Sequence, residues 1–324
     1  MKVYFRSIGA VLLCLSLLLG TAVLCTGCGE QRNPAPGDNN ATVIICTSFA
    51  GFDFTRSMLE HYTECGGTGI VELSLLGKQG QDMHSYEPTA KDIIQLAGAD
   101  IVVCTGAESW LDAALSSAGN KDVLRVSMME VCDADAIEHD HDHSHGEGDC
   151  ALIGQDEHVW LSLGNAARIT RGIADALMSA DRENAAAWQE CAALYTAELT
   201  ELKNAYGEMM AQATRDTVVV ADRYPFAYLF SELGLHCVAA FPGCSSETSA
   251  SFETQMKLIE TVKEKDLPYI FIMEGSDGKV AATVAGETGA KILTLDSMQV
   301  VTDMESRYID IMRKNLENLK KALQ

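Results

Sequence analysis

From residue 42 onward, short β-branched apolar runs alternate with longer stretches in which apolar side chains recur at helical spacing. Val43-Ile44-Ile45, Val71-Glu72-Leu73-Ser74-Leu75-Leu76, Ile101-Val102-Val103 and Val123-Leu124-Arg125-Val126 read as strands, with helical patterns near 53–64, 89–98 and 108–118 between them. Strands this short and this apolar, separated by helices, predict a parallel sheet covered on both faces. The pattern restarts with Val218-Val219-Val220, Cys237-Val238-Ala239-Ala240, Tyr269-Ile270-Phe271-Ile272 and Lys291-Ile292-Leu293-Thr294-Leu295, with helices near 226–233, 249–264, 278–288 and 303–323. Between the two sets, residues 181–214 form an Ala, Glu and Leu-rich run without proline. At 1.5 Å per residue it suits one helix of about 50 Å. Trp188, Leu194, Tyr195, Leu199, Leu202 and Tyr206 fall at helical spacing along it and read as packing residues. The predicted fold is therefore α/β: two lobes, each a parallel β-sheet flanked by helices, residues 42–180 and 215–324, joined by one long rigid helix. No internal sequence repeat marks a duplication.

The amino terminus changes the picture by locating the protein. Lys2 and Arg6 precede an apolar run from Ile8 to Leu24, marginal for a span of about 20 residues, so residues 1–27 read as a secretory signal. Its end, Leu24-Cys25-Thr26-Gly27-Cys28, resembles a bacterial lipobox and makes Cys28 the lipidation site; a simple uncleaved anchor is the alternative. Residues 28–41 form a flexible tether. The formal charge of −22 becomes two units more negative without Lys2 and Arg6. Such acidity disfavours nucleic acid and anionic lipid and concentrates cations. Eight cysteines follow Cys28, an even number that permits disulfides outside the membrane. Cys46 and Cys104 lie in strand-like runs, however, where a buried free thiol is equally expected. No Cys-x-x-Cys pair remains to form a thiolate zinc site.

Candidate chemistry is concentrated in histidine. His139, His141, His143 and His145 lie within the acidic, apolar-free segment 139–149, which has little to do except bind cations. Ligands of open parallel sheets bind beyond the carboxyl ends of the strands. Four of these ends carry a coordinating residue: His84 after Val71–Leu76, Asp222 after Val218–Val220, Glu274 after Tyr269–Met273, and Asp296 after Ile292–Leu295. His158 stands before the apolar Val159-Trp160-Leu161 on the far side of the acidic loop. His61, in a helical pattern, and His236, entering a strand, read as ordinary surface residues.

These segments resemble those of the metal-binding lipoproteins of bacterial ABC importers for zinc and manganese. Gly77 to Pro88 is similar to that family's first ligand motif, mapping the first ligand onto His84. Asp156-Glu157-His158-Val159-Trp160-Leu161 resembles its Asp-Pro-His-Val-Trp-Leu, mapping the second onto His158. Glu274, Glu287-Thr288-Gly289-Ala290-Lys291 and Leu295-Asp296 resemble its carboxy-terminal pattern, in which the aspartate is a ligand. The third ligand departs from the pattern: the family has His or Glu ahead of an aromatic helix, whereas this chain has Ala221-Asp222-Arg223-Tyr224-Pro225-Phe226. Asp222 is the nearest ligand-capable residue, with a cap or a partner for Arg223 as its other reading and Glu274 or a water as the alternative ligand. The resemblance implies a monomeric, extracytoplasmic, lipid-anchored solute-binding protein. It would capture Zn2+, with Mn2+ or iron as the alternative, and deliver it to a permease and ATPase. A metallohydrolase is disfavoured because no His-Glu-x-x-His helix is present. A surface adhesin or metal-storage role needs no transporter and stays open.

Overall fold

The computed structural model describes residues 2–5, 41–132, 156–241, 243, 250–300 and 303–324. Cys28, the tether up to residue 40 and the histidine loop 139–149 lie outside the described residues, and residue 41, read as tether, opens the first parallel strand. Among the described residues, no helix is long and apolar enough to cross a membrane.

Two sheets carry the architecture. The first contains β1 (Lys2–Phe5), β2 (Ala41–Cys46), β3 (Ile70–Leu75), β4 (Ile101–Cys104) and β5 (Leu124–Ser127) in the order β1-β3-β2-β4-β5. The second contains β6 (Thr217–Val220), β7 (His236–Ala239), β8 (Tyr269–Met273) and β9 (Lys291–Leu295) in the order β7-β6-β8-β9. Leaving β1 aside, both sheets are parallel and share one topology, in which the first strand of each set is flanked by the second and the third. The structure thus shows a repeated topology where the sequence shows no repeat. β1, drawn from the segment read as a signal, lies antiparallel along β3. An edge strand offers a row of unpaired amides and carbonyls that an extended neighbour can satisfy.

The strand predictions hold to within one or two residues, and helices α2 (Ala90–Ala97) and α3 (Leu111–Ala118) fall in the predicted intervals, whereas α1 (Phe49–His61) starts four residues before 53–64 because Ser48 caps it. A short α4 (Met128–Val131) follows β5. The sequence reading missed α5 (Leu163–Ala180), whose buried Ala166, Ile169, Thr170, Ile173, Ala174 and Leu177 carry a clear helical period. The long helix α6 runs Ala185–Ala211, shorter than 181–214, because a 3-10 turn at Arg182–Asn184 precedes it. Asp181 sets that entry by accepting hydrogen bonds from Tyr62 Oη at 2.9 Å and Trp188 Nε1 at 3.1 Å. Then come α7 (Ala227–Leu233), α8 (Phe252–Glu264), α9 (Lys279–Thr288) and α10 (Tyr308–Leu323).

One apolar core runs through both lobes. It joins Ile44, Leu73 and Val103 of the first sheet to Trp188, Leu199 and Tyr206 of α6, and on to Val220, Phe271 and Leu295 of the second. Smaller clusters lie on the outer faces, under α2 and α3 in the first lobe and under α8 and α9 in the second. Helix α1 sits close on β4: a Cβ on Gly51 would meet Val103 Cγ1 at 2.8 Å. Fully buried Asp53 on α1 accepts from Arg56 Nε at 2.8 Å and from the Tyr308 amide at 2.6 Å, and Arg307 Nε lies 3.2 Å from it. Arg56 also donates to the carbonyls of Met304 and Ser306. This charged cluster ties α1 to the segment entering α10 and locks the lobes together at their base.

Removing one partner of a buried ion cluster strands the others. Asp53→Ala should therefore cost about 3–5 kcal/mol of unfolding free energy, read by urea denaturation. Asp53→Asn, which keeps an acceptor, should cost less. An Asp53→Ala loss near zero would show that the arginines find other partners.

Candidate metal centre

His84 and His158 are presented by the same local device. After β3, Gly77 takes φ +87°, with the Tyr86 ring 3.4 Å from where its Cβ would stand, and the chain turns back. Asp82 then accepts the His84 amide at 3.0 Å and opens the 3-10 turn Met83–Ser85. Asp156 likewise accepts the His158 amide at 2.9 Å, ahead of the 3-10 turn Val159–Leu161. In each case an aspartate takes the amide two residues on, a compact turn that fixes where the following imidazole points.

The two rings meet at the junction of the lobes with centroids 5.4 Å apart. Between them stands Glu157, and donor atoms of His84, Glu157 and His158 all lie within 4.8 Å of one another; they form the one such metal-competent group among the described residues. Donors on a tetrahedral zinc at about 2.0–2.1 Å stand about 3.4 Å apart, so small side-chain rotations would close this set on an ion. His158 is buried, and its Nδ1 lies 2.6 Å from Asp156 Oδ1. A carboxylate in such a contact orients an imidazole and raises the basicity of its other nitrogen. His84 Nδ1 lies 3.0 Å from Glu157 Oε1, and its Nε2 lies 3.0 Å from Gln299 Oε1. Burial would push the Glu157 carboxyl up, but the hydrogen bond from His84 and the nearby His158 charge outweigh it and hold the group below the usual range. Glu157 is thus an anion at neutral pH, available to a cation. A cavity of about 350 Å³ opens onto His84 and Glu157, with Glu87 and Glu108 on its wall, giving ions a negatively charged approach.

The three second-lobe carboxylates lie outside that group. Asp222 Oδ1 accepts the Arg223 amide at 2.8 Å and Oδ2 the Met273 amide at 3.4 Å. Glu274 accepts the Ser297 amide at 2.7 Å, the Ser297 hydroxyl at 2.6 Å and the Gln299 amide at 3.1 Å. Asp296 accepts the Met298 amide at 2.8 Å, the same turn again, and Met298 is held at φ +64°. Burial, reinforced by the Asp296 charge, raises the Glu274 carboxyl to about 7, and burial raises Asp296 as well. These groups build the turn that carries Gln299 to His84. That turn and its neighbours also fix the His158 segment: Trp160 Nε1 donates to the Ser297 carbonyl at 3.0 Å, Tyr308 Oη to the Trp160 carbonyl at 2.6 Å, and Tyr228 Oη to the Asp156 carbonyl at 3.1 Å.

Sequence reasoning missed Glu157, Asp156, Gln299 and Arg223. Glu157 carried a signal: it replaces the proline of the motif it otherwise follows. Asp156 carried another, the Asp-x-His spacing shared with Asp82 and His84. Gln299 and Arg223 had none, because only folding brings them near His84. His61 and His236 stand apart from the site, His61 partly buried near Glu64 and Glu198 and His236 exposed on β7.

Comparison with known proteins extends this picture beyond the site. The chain is 30% identical over 319 residues to the zinc-binding lipoprotein AdcA of Streptococcus pneumoniae R6, covering 95% of this chain and 60% of that protein. It is 28% identical over 310 residues to the high-affinity zinc uptake system protein ZnuA of Bacillus subtilis 168, covering 93% and 94%. The chain spans about 60% of the length of AdcA and nearly all of ZnuA. Among solved structures, the metal-dependent lipoprotein YcdH from Bacillus subtilis superposes with a TM-score of 0.70 at 26% identity, covering 87% of this chain and 99% of that one. The Zn(II)-bound ZnuA-like domain of Streptococcus pneumoniae AdcA gives 0.67 at 26%, with the same coverage. Residues 55–322 match the family of the periplasmic zinc-uptake complex component A, ZnuA, and over that extent the chain belongs to it.

Proposed function

We propose that the protein is an extracytoplasmic zinc-capturing component of an ABC importer, lipid-anchored through Cys28 and acting as a monomer that hands its ion to a permease served by an ATPase. The observation that carries this reading is the convergence of His84, Glu157 and His158, with His158 oriented by Asp156. Two imidazoles and one carboxylate make a borderline donor set suited to zinc. The names of the relatives support zinc over manganese, and membership of a solute-binding family supports binding without catalysis. In this reading His84, His158 and Glu157 ligate the ion. Asp222, Glu274 and Asp296 shape the second-lobe wall, with Asp296 the one the family resemblance would add to the ligands. His139, His141, His143 and His145 supply weaker auxiliary binding.

The ligand roles are separable by mutation. His84→Ala and His158→Ala should each weaken the tight zinc site at least about tenfold, roughly 1.4 kcal/mol. Glu157→Gln should cause a comparable loss, while Asp222→Ala should leave affinity within about threefold, all by competition with a chromophoric chelator. Unchanged affinity in Glu157→Gln together with a large loss in Asp222→Ala would move the third ligand to the second lobe.

Deleting residues 139–149 should remove weak zinc stoichiometry and keep the tight site. Loss of all binding on that deletion would place the principal site in the loop.

Acid should weaken binding through the imidazoles first. A histidine ligand must be neutral, and its unperturbed pKa is about 6.5, so affinity should be level above about pH 7.5 and fall by up to about two decades per unit below about pH 5.5. Glu157, held below the usual carboxylate range, stays ionised through that window and contributes only in stronger acid. Calorimetric titrations from about pH 5 to 8 give the slope, and an affinity flat across that range would remove both histidines from the site.

A further inference from the structure

Arg223 is out of place beside a cation site. It follows β6 on the second lobe, and its Nη1 lies 3.3 Å from Asp82 Oδ2, two residues before His84. A guanidinium near a bound cation repels it, the more so with little water between them. The geometry points to a role for Arg223 that offsets this repulsion: it is a positioning residue that, through Asp82, holds the turn presenting His84. The first-lobe site thereby depends on contact with the second lobe. This inference rests on His84 being a metal ligand.

The connection is short at both ends. Asp82 divides its two oxygens, Oδ1 taking the His84 amide at 3.0 Å and Oδ2 facing Arg223. The Asp82 carbonyl also accepts the Ser85 hydroxyl at 3.0 Å, so Asp82 organises the whole turn. Arg223 is equally fixed at its root, since its amide donates to Asp222 at 2.8 Å and the next amide, of Tyr224, donates to the Gly243 carbonyl at 2.8 Å. Arg223 and Asp82 side chains are each 26% exposed, dehydrated enough for the pair to be directional and wet enough for salt to screen it. Two further second-lobe contacts fall on the same turn: the bridge between Asp82 and Val300, and Gln299 Oε1 against His84 Nε2. The second lobe thus grips the turn that presents His84.

The test turns on a sign. If Arg223 acted only as a nearby positive charge, Arg223→Gln would tighten zinc binding. As a positioning residue, its loss weakens binding by about two- to fivefold near 20 mM NaCl, measured on the full mature chain by chelator competition. Asp82→Asn keeps an acceptor for the His84 amide while removing the charge, and should give a similar loss. The double variant should bind no more weakly than either single one, and the gap from wild type should narrow near 0.5 M NaCl. Zinc affinity in Arg223→Gln equal to or tighter than wild type, or losses that add in the double variant, would overturn the inference. Should Arg223→Gln lower the melting temperature of the ion-free chain, Arg223→Lys decides: recovery of at least half the lost affinity supports the role, and no recovery overturns it. Failure of the wild-type chain to bind zinc tightly would strike the metal reading itself, whereas tight wild-type binding with unchanged variants would strike Arg223 alone.

Discussion

Everything in this molecule depends on an apolar surface that neither lobe can cover alone. Each parallel sheet is apolar on both faces. The outer faces are covered locally, by α2 and α3 on one side and α8 and α9 on the other. The inner faces share one core, with α6 running through it and fully buried Trp188, Leu199 and Tyr308 at its centre. Leaving that surface wet would cost about 25 cal/mol per Å² of apolar area, so the lobes are held face to face along the helix layer. The cluster of buried Asp53 and Arg56 with partly exposed Arg307 then ties α1 to the segment entering α10, because a buried carboxylate requires its donors in particular directions. What lies between the strand ends is therefore a preformed junction.

The candidate centre follows from how the chain turns at that junction. Three times it uses an aspartate to accept the amide two residues on, at Asp82, Asp156 and Asp296. The first two turns deliver His84 and His158, and the third delivers the segment that reaches back to both. In this structure the second lobe contributes mainly backbone and neutral side chains, with Ser297 and Gln299 meeting Trp160 and His84. Its carboxylates hold amides, and two of them are pushed toward the protonated form by burial. Glu157 goes the other way, because two imidazoles favour its charge. The division places one firm anion beside two imidazoles, a donor set that suits a borderline divalent ion better than a hard one.

The remainder of the chain surrounds this centre with charge. The acidity of the whole protein and the Glu87 and Glu108 wall draw cations without discriminating among them. Within reach of His84 and His158 the charge narrows to one donor group, with Glu157 beside them.

How much of this was legible beforehand varies with the range of the interaction. Strand and helix intervals were readable because hydrophobic period is local, and the eight parallel strands were all found. α5 carried the same kind of signal and was overlooked, while the start of α6 was misplaced because Asp181 is held by Tyr62, far away in the chain. His84 and His158 were readable as candidates because each sits in a short local motif, one following a strand end and one ahead of Val159-Trp160-Leu161, and Glu157 was written beside His158 as a departure from that motif. Gln299 and Arg223 could not be read, since they touch the His84 turn only across 215 and 141 residues of separation. Likewise no local pattern shows whether a carboxylate after a strand faces an ion or its own backbone. The sequence by itself determined the elements, their order and the two imidazoles, because these depend on neighbours within a turn. Only the tertiary structure decided which groups meet between the lobes, because burial and charge act between residues that folding alone brings together.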